Sequence, residues 1–244
     1  GSVLGLCMMS VNATVLSTNA DKQQQVQKLL KVMRFDQTQA ALLKKLNGVV
    51  ADMDPIKDFC DSNKIYLIED SAQGIGAFNG EKHSGSWGVG GCLSFYPAKV
   101  AGGIGDGGAI ITNNDKLASF AKSVRDHGRG EEFEAINWGR NSRLDSINAR
   151  VIIERINDLN ALIDKRRELA SIYDDNLREL EINSDLKLPP KFSTNSNSIS
   201  TYQNYEIQVN KKDDLINFLK KNDIGTIKQW GGFSIAHFSQ LGYE

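Results

Sequence analysis

Lys99 stands in the run "SFYPAKVAGGIGDGG", residues 94–108, where a strand-like segment gives way to glycines. A lysine amine, once neutral, attacks an aldehyde to form an imine. Asp70 closes the apolar run "KIYLIED", Gln73 follows three residues later, and Ser94 precedes Lys99 by five. A carboxylate beside a pyridine nitrogen keeps that nitrogen protonated, so the ring becomes an electron sink, while a hydroxyl and backbone N–H groups hold a phosphate. A lysine on a strand-end loop near a strand-end carboxylate therefore suits a Schiff-base cofactor. Spacing alone leaves plainer readings open: Lys99 as a solvated loop cation, Asp70 as a cap or ion-pair partner.

The glycines raise a competing possibility. Gly103-Ile104-Gly105-Asp106-Gly107-Gly108 fits G-x-G-x-x-G, the spacing of a dinucleotide loop. That fingerprint works only between a strand and a helix whose N-terminus receives the pyrophosphate. Here "AIITNN" follows, β-branched and ending in turn residues. The glycines are expected instead to give a tight backbone path between two strands.

The elements that must carry these residues alternate in type. "DMDPIKDFCDSN" reads as a helix with Asp54 as N-cap and Pro55 at its first position. "KIYLIED", "GGCLSFYP" and "GGAIITN" read as strands, and "DKLASFAKSVRDHG" as a helix. Residues 21–47 place Val26, Leu29, Leu30, Met33, Ala40 and Leu43 at helical spacing, with Gly48 as a stop. Residues 144–180 read as one long helix, with Arg167 and Glu168 toward solvent and Val151, Ile152 and Ile156 toward a core or interface. Beyond it, "YQNYEIQV" reads as a strand, "KKDDLINFLKKN" as a helix and "IGTIKQW" as a strand or turn. The alternation says α/β.

Composition narrows the class further. The 244 residues carry a net charge of −1, so no general pull toward nucleic acid or membrane is expected. No apolar run approaches the ~20 residues of a membrane helix, and the start lacks the basic region of a signal peptide. Three widely spaced cysteines, Cys7, Cys60 and Cys92, argue against a disulfide framework and for a reducing, cytoplasmic compartment. With three histidines and no C-x-x-C pair, no metal site is expected.

Four segments in collinear order resemble the DegT/DnrJ/EryC1/StrS family of sugar aminotransferases, which use pyridoxal 5'-phosphate. They are "NGVVADMDPIKDFCDSNKIYLIEDSAQGIGA", "GSWGVGGCLSFYPAKVAGGIGDGGAIITNN", "SVRDHGR" and "WGRNSRLDSINARVIIERINDLNALIDKRRELASIY". The "QWGG" near the end is similar to a branch acting on nucleotide-linked keto-sugars. The resemblance implies a partial fold-type-I large domain with a mixed, mainly parallel sheet over 1–160. A smaller α+β domain is implied over 161–244. It implies that Lys99 binds the cofactor's aldehyde carbon and that Asp70 pairs with its ring nitrogen. It puts Gln73 near the ring hydroxyl, Ser94 at the phosphate and Ala72 either against the ring face or in the plain core. Asn141 and Arg143 match residues that reach the phosphate of a neighbouring subunit, so a homodimer is implied.

The chemistry implied is transfer of an amino group, typically from glutamate, to a nucleotide-linked keto-sugar. Lys99 favours this over the dehydratase branch, which carries histidine there. Trp230 is expected either to line the sugar site or to pack in the small domain. His127 is expected either to stabilise a helix C-terminus beside Gly128 or to take a site role. His83 and His237 are read as surface or packing residues.

The resemblance stops upstream of about Leu46, leaving residues 1–46 divergent, where relatives place a Gly-Thr turn that grips the phosphate and an aromatic that stacks on the ring. Ser17-Thr18-Asn19 is the nearest imitation, and it reads more simply as an N-cap. Relatives also continue past "LGYE". Two expectations of different class follow: an active aminotransferase, or a weak or inactive shortened homologue that keeps the fold for assembly or regulation.

Overall fold

The computed structural model describes residues 34–35, 38–182, 185–191, 198–233, 237–238 and 240. The expected elements at 21–33 and the Ser17-Thr18-Asn19 cap lie outside the described residues. The chain runs β1 (Arg34–Phe35), β2 (Thr38–Lys44), α1 (Asp54–Ser62) and β3 (Tyr66–Asp70). The short hairpin β4 (Phe78–Asn79) and β5 (Lys82–His83) precedes β6 (Gly90–Ser94) and β7 (Gly108–Ile111). Then come α2 (Asp115–Arg125), α3 (Ser146–Asn157), α4 (Leu159–Ile182), β8 (Ser198–Ile199) and α5 (Lys212–Lys221). A 3₁₀ turn spans Gln229–Gly232.

The main sheet has the order β1-β2-β3-β6-β7. β2, β3 and β6 run parallel at its centre, while β1 and β7 close its edges antiparallel. The register aligns Lys44 with Asp70 and Asp70 with Cys92, so the carboxyl ends of the three central strands share one edge. The sheet is mixed, as expected, but only partly parallel: the β2–β3 and β3–β6 pairings are parallel and the β1–β2 and β6–β7 pairings antiparallel.

Two hydrophobic clusters hold it. One joins Val50, Met53, Cys60, Leu67, Ala77 and Trp87; the other joins Ile75, Phe95, Val100 and Ala101 to Ile152 of α3 and Ile163 of α4. A second, three-stranded sheet β5-β4-β8 ties the later chain back onto the hairpin between β3 and β6. No described helix is long and apolar enough to cross a membrane.

Several expectations need correction. Residues 38–44 are a strand, not the end of a helix. The apolar run Ala40–Leu43 fits either period, and parallel pairing with β3, Ala40 against Tyr66 through Leu43 against Glu69, decides for the strand. α1 begins at Asp54 with Met53 as N-cap. The 144–180 helix is two helices meeting at Asp158, beside Asn157; both types compete with the helix for backbone hydrogen bonds. Arg167 is not fully solvated: its Nε donates to the Ser200 carbonyl at 3.0 Å. Ile152 is buried, whereas Ile156 is 44% exposed. "YQNYEIQV" forms no strand beyond one bridge, Gln208 to Lys187: Tyr202 takes φ 45°, outside the extended region, and the Gln203 N–H is spent on the Asn47 carbonyl. "IGTIKQW" ends in the 3₁₀ turn and adds no strand.

Glu69, the penultimate residue of β3, organises the loop back to β6. It is fully buried and accepts backbone N–H bonds from Gly85, Trp87 and Gly88 at 2.6–2.9 Å. The buried amine of Lys45 completes its shell. Burial pulls the Lys45 amine below its ordinary range, and the Glu69 carboxylate opposes that pull.

His83 packs edge-on against Phe78, and its Nε2 accepts the Gly76 N–H at 2.7 Å. That bond requires an unprotonated Nε2, and burial pushes the imidazole pKa below its ordinary value of 6.5. The stabilisation is complete above pH 6.5 and declines below it, where the unfolded chain takes up a proton that the folded chain refuses. Urea unfolding above and below that pH should show a steeper loss for the native chain than for His83→Gln. Equal slopes would contradict the assignment.

Candidate active site

In open α/β sheets, ligands bind beyond the carboxyl ends of the strands. Asp70, half-buried, ends β3 there, and its Oδ1 accepts the Ala72 N–H at 3.1 Å. Gln73 is buried, and its Oε1 accepts the Asn47 N–H at 2.7 Å. Ser94 ends β6, and its Oγ accepts the Tyr96 N–H at 3.3 Å. These bonds use acceptor capacity and leave the Ser94 hydroxyl proton and the Gln73 amide nitrogen as donors.

Lys99 sits in the turn that follows β6. Its N–H donates to the Tyr96 carbonyl at 2.8 Å and its own carbonyl accepts the Gly102 N–H at 2.9 Å. A Cβ on Gly102 would lie 2.4 Å from the Pro97 carbonyl oxygen, so glycine is needed for the turn to close. Phe95, Val100 and Ala101 are buried on either side of the half-buried lysine. The Lys99 backbone is thus anchored by core packing and turn bonds together. β3 and β6 are direct neighbours, so Asp70 and Lys99 follow from adjacent strands at the same edge.

The glycine loop serves this framework and not a dinucleotide. Asn148 of α3 is buried, and its Oδ1 accepts the Ile104 N–H at 3.0 Å. Its Nδ2 donates to the carbonyls of Gly105 and Asp106. A Cβ on Gly103 would fall 2.0 Å from Asn148 Oδ1. The loop closes around a side chain and leads into the antiparallel strand β7, with no helix N-terminus to receive a phosphate. Asn148 was not singled out from sequence; only its polarity within an apolar helix stripe marks it.

The remaining candidates are held by contacts of their own. Asn141 and Arg143 sit on an exposed loop bound to the end of α2. Arg143 Nη1 is 3.4 Å from Asp126 Oδ1, and Arg143 Nε donates to Asn141 Oδ1 at 3.2 Å. The Ser142 N–H donates to the Arg125 carbonyl at 2.8 Å. His127 follows Asp126, the C-cap of α2, in the left-handed region, φ 63°, with Nε2 4.0 Å from Asp126 Oδ1. Trp230 lies in the 3₁₀ turn, and its side chain is outside the described residues. His237 is exposed.

A model of the DegT/DnrJ/EryC1/StrS aminotransferase family matches residues 11–234, which corrects the expectation that the resemblance stops at about Leu46. The UDP-2-acetamido-2-deoxy-3-oxo-D-glucuronate aminotransferase of Pseudomonas aeruginosa is 30% identical over 225 residues, 92% of this chain and 59% of that protein. A DegT/DnrJ/EryC1/StrS aminotransferase from Brucella abortus superposes with a TM-score of 0.73 at 31% identity, over 83% of this chain and 52% of that one. NtdA of Bacillus subtilis, solved with bound cofactor PMP, superposes with a TM-score of 0.68 at 29% identity, over 79% of this chain and 43% of that one. The chain spans about half the length of the curated relatives it matches.

Proposed function

The chain belongs to the DegT/DnrJ/EryC1/StrS aminotransferase family, and from that premise we propose that it takes part in pyridoxal-phosphate-dependent amino transfer. The donor is an amino acid such as glutamate and the acceptor a nucleotide-linked keto-sugar. One observation carries the reading: an amine, Lys99, and a carboxylate, Asp70, follow from adjacent parallel strands at one sheet edge, with Ser94 and Gln73 beside them. The P. aeruginosa relative acts on a UDP-linked oxo-sugar, and the B. subtilis neighbour holds PMP.

The residues fit the cofactor. Lys99 supplies the amine for its aldehyde carbon and Asp70 the negative charge for its ring nitrogen. Gln73, with Oε1 engaged by Asn47, offers its amide nitrogen to the ring hydroxyl, and Ser94 offers its hydroxyl proton to the phosphate. Ala72, small and half-buried, leaves room for the ring face. When bound, the cofactor supplies an electron sink that makes the carbon next to the transferred nitrogen acidic. The Lys99 amine, when free, would accept that proton at Nζ. Asp70 stays charged and holds the ring nitrogen's proton.

A second copy of the chain completes the proposal. Every residue from 131 to 143 is exposed, including Trp138 at 99% and Phe133 at 77%. Large apolar side chains standing in solvent next to Asn141 and Arg143 mark a surface made for another protein face. Docked on the second copy, this loop brings Asn141 and Arg143 toward its phosphate site. The test combines two readings on one sample: a visible imine band on adding pyridoxal phosphate, and the mass of two chains by light scattering. A monomer without the band contradicts the proposal.

A further inference from the structure

We infer that Gln203 is a positioning residue for Lys99, gripping the backbone on both sides of it. The inference rests on Lys99 as the cofactor lysine. Gln203 lies 103 and 105 residues from its two partners in the chain and is 7% exposed. Its Oε1 accepts the Val100 N–H at 3.1 Å, and its Nε2 donates to the Ala98 carbonyl at 2.9 Å. One amide thus spends an acceptor and a donor on the two peptide groups that bracket Lys99. A primary amide is the side chain that offers both from one planar group.

The segment Thr201 to Gln203 is itself held by Asn47, Gly48 and Arg166. The Gln203 N–H donates to the Asn47 carbonyl and the Thr201 N–H to the Gly48 carbonyl, both at 3.0 Å. Arg166 of α4 donates to the carbonyls of Tyr202 and Gln203 at 3.3 and 3.1 Å. Asn47 and Gly48 take positive φ, 58° and 80°, and a Cβ on Gly48 would meet Thr201 Oγ1 at 2.2 Å, so the two segments touch closely. Asn47 is also the residue whose N–H fixes Gln73. A continuous path of hydrogen bonds therefore runs from Gln73 through Asn47 and Gln203 to the Lys99 turn. The amide assigned to the ring hydroxyl and the lysine assigned to the aldehyde are set on one frame. A lysine with four rotatable bonds reaches a fixed ring reproducibly only if its backbone does not drift.

The test uses the full chain with Gln203→Ala and Gln203→Glu. The glutamate keeps the shape and the acceptor for Val100 but loses the donor to Ala98, and it guards against a misfolded alanine variant. Without cofactor, amide exchange at Val100 should accelerate about tenfold or more in Gln203→Ala and less in Gln203→Glu, as loss of one buried hydrogen bond requires. Unchanged exchange overturns the clamp. With pyridoxal phosphate, both variants should form the Lys99 imine more slowly, and the pH profile of its absorbance should move, because protonation of the imine depends on how squarely the amine meets the ring. Variants that lose urea stability but keep the native rate and pH profile show a structural role only and overturn the inference. A native chain that forms no imine sinks the assignment of Lys99, while the exchange measurement still decides the clamp.

Discussion

Asp70→Asn is expected to lower the rate of the proposed amino transfer on the order of 10²–10³-fold, the scale for removing one preorganised electrostatic contact from a reacting centre. Asparagine matches aspartate in shape, and its Oδ1 still accepts the Ala72 N–H that holds the carboxylate now. What it lacks is the negative charge that keeps a ring nitrogen protonated, and without that charge the ring withdraws electrons poorly. The substitution lies at the exit of β3, whose pairing with β2 and β6 uses backbone groups alone, so the fold should persist. Single-turnover rates with glutamate, measured beside urea unfolding, separate the two effects. A variant with near-native rate shows that Asp70 does not face the ring nitrogen.

Glu69→Ala is expected to cost about 3–5 kcal/mol of stability, the range for breaking a buried ion pair by removing one partner. Three backbone N–H groups and the buried Lys45 amine lose their acceptor together. Set against a total of about 5–15 kcal/mol for an ordinary domain, this brings the chain to the edge of unfolding. Glu69→Gln, which keeps an acceptor oxygen, should lose less. Urea midpoints decide, and a Glu69→Ala loss within the error of the measurement contradicts the anchoring role. Function suffers along with stability, since the loop that Glu69 holds leads directly into β6, Ser94 and the Lys99 turn.

Neighbouring acids Glu69 and Asp70 illustrate how far the residues could be read unaided. "KIYLIED" shows a short apolar run ending in two acids, which is enough to place a strand and a polar edge. Which acid turns inward is a matter of register: Glu69 is fully buried, whereas Asp70 is half-buried at the carboxyl edge. The rejection of the dinucleotide loop was equally available, because "AIITNN" could not be the required helix. The identity of the group inside the loop was not, since Asn148 comes from a helix 40 or more residues away.

β2 was misread because an apolar run of four residues satisfies both helical and extended spacing, and only its pairing partners decide. Gln203 escaped notice for a related reason. "TYQNY" alternates like a strand, yet its polar side chains are turned to the backbones of Lys99's neighbours and to Asn47, contacts of long sequence separation that leave no local trace.

The central claim is that Lys99 is the residue that takes the cofactor. Borohydride reduction of the chain incubated with pyridoxal phosphate, followed by peptide mass mapping, tests it most directly. One dominant adduct is expected, on Lys99, absent from Lys99→Ala. Label spread across surface lysines such as Lys57, Lys165 and Lys228, with no preference for Lys99, would contradict it.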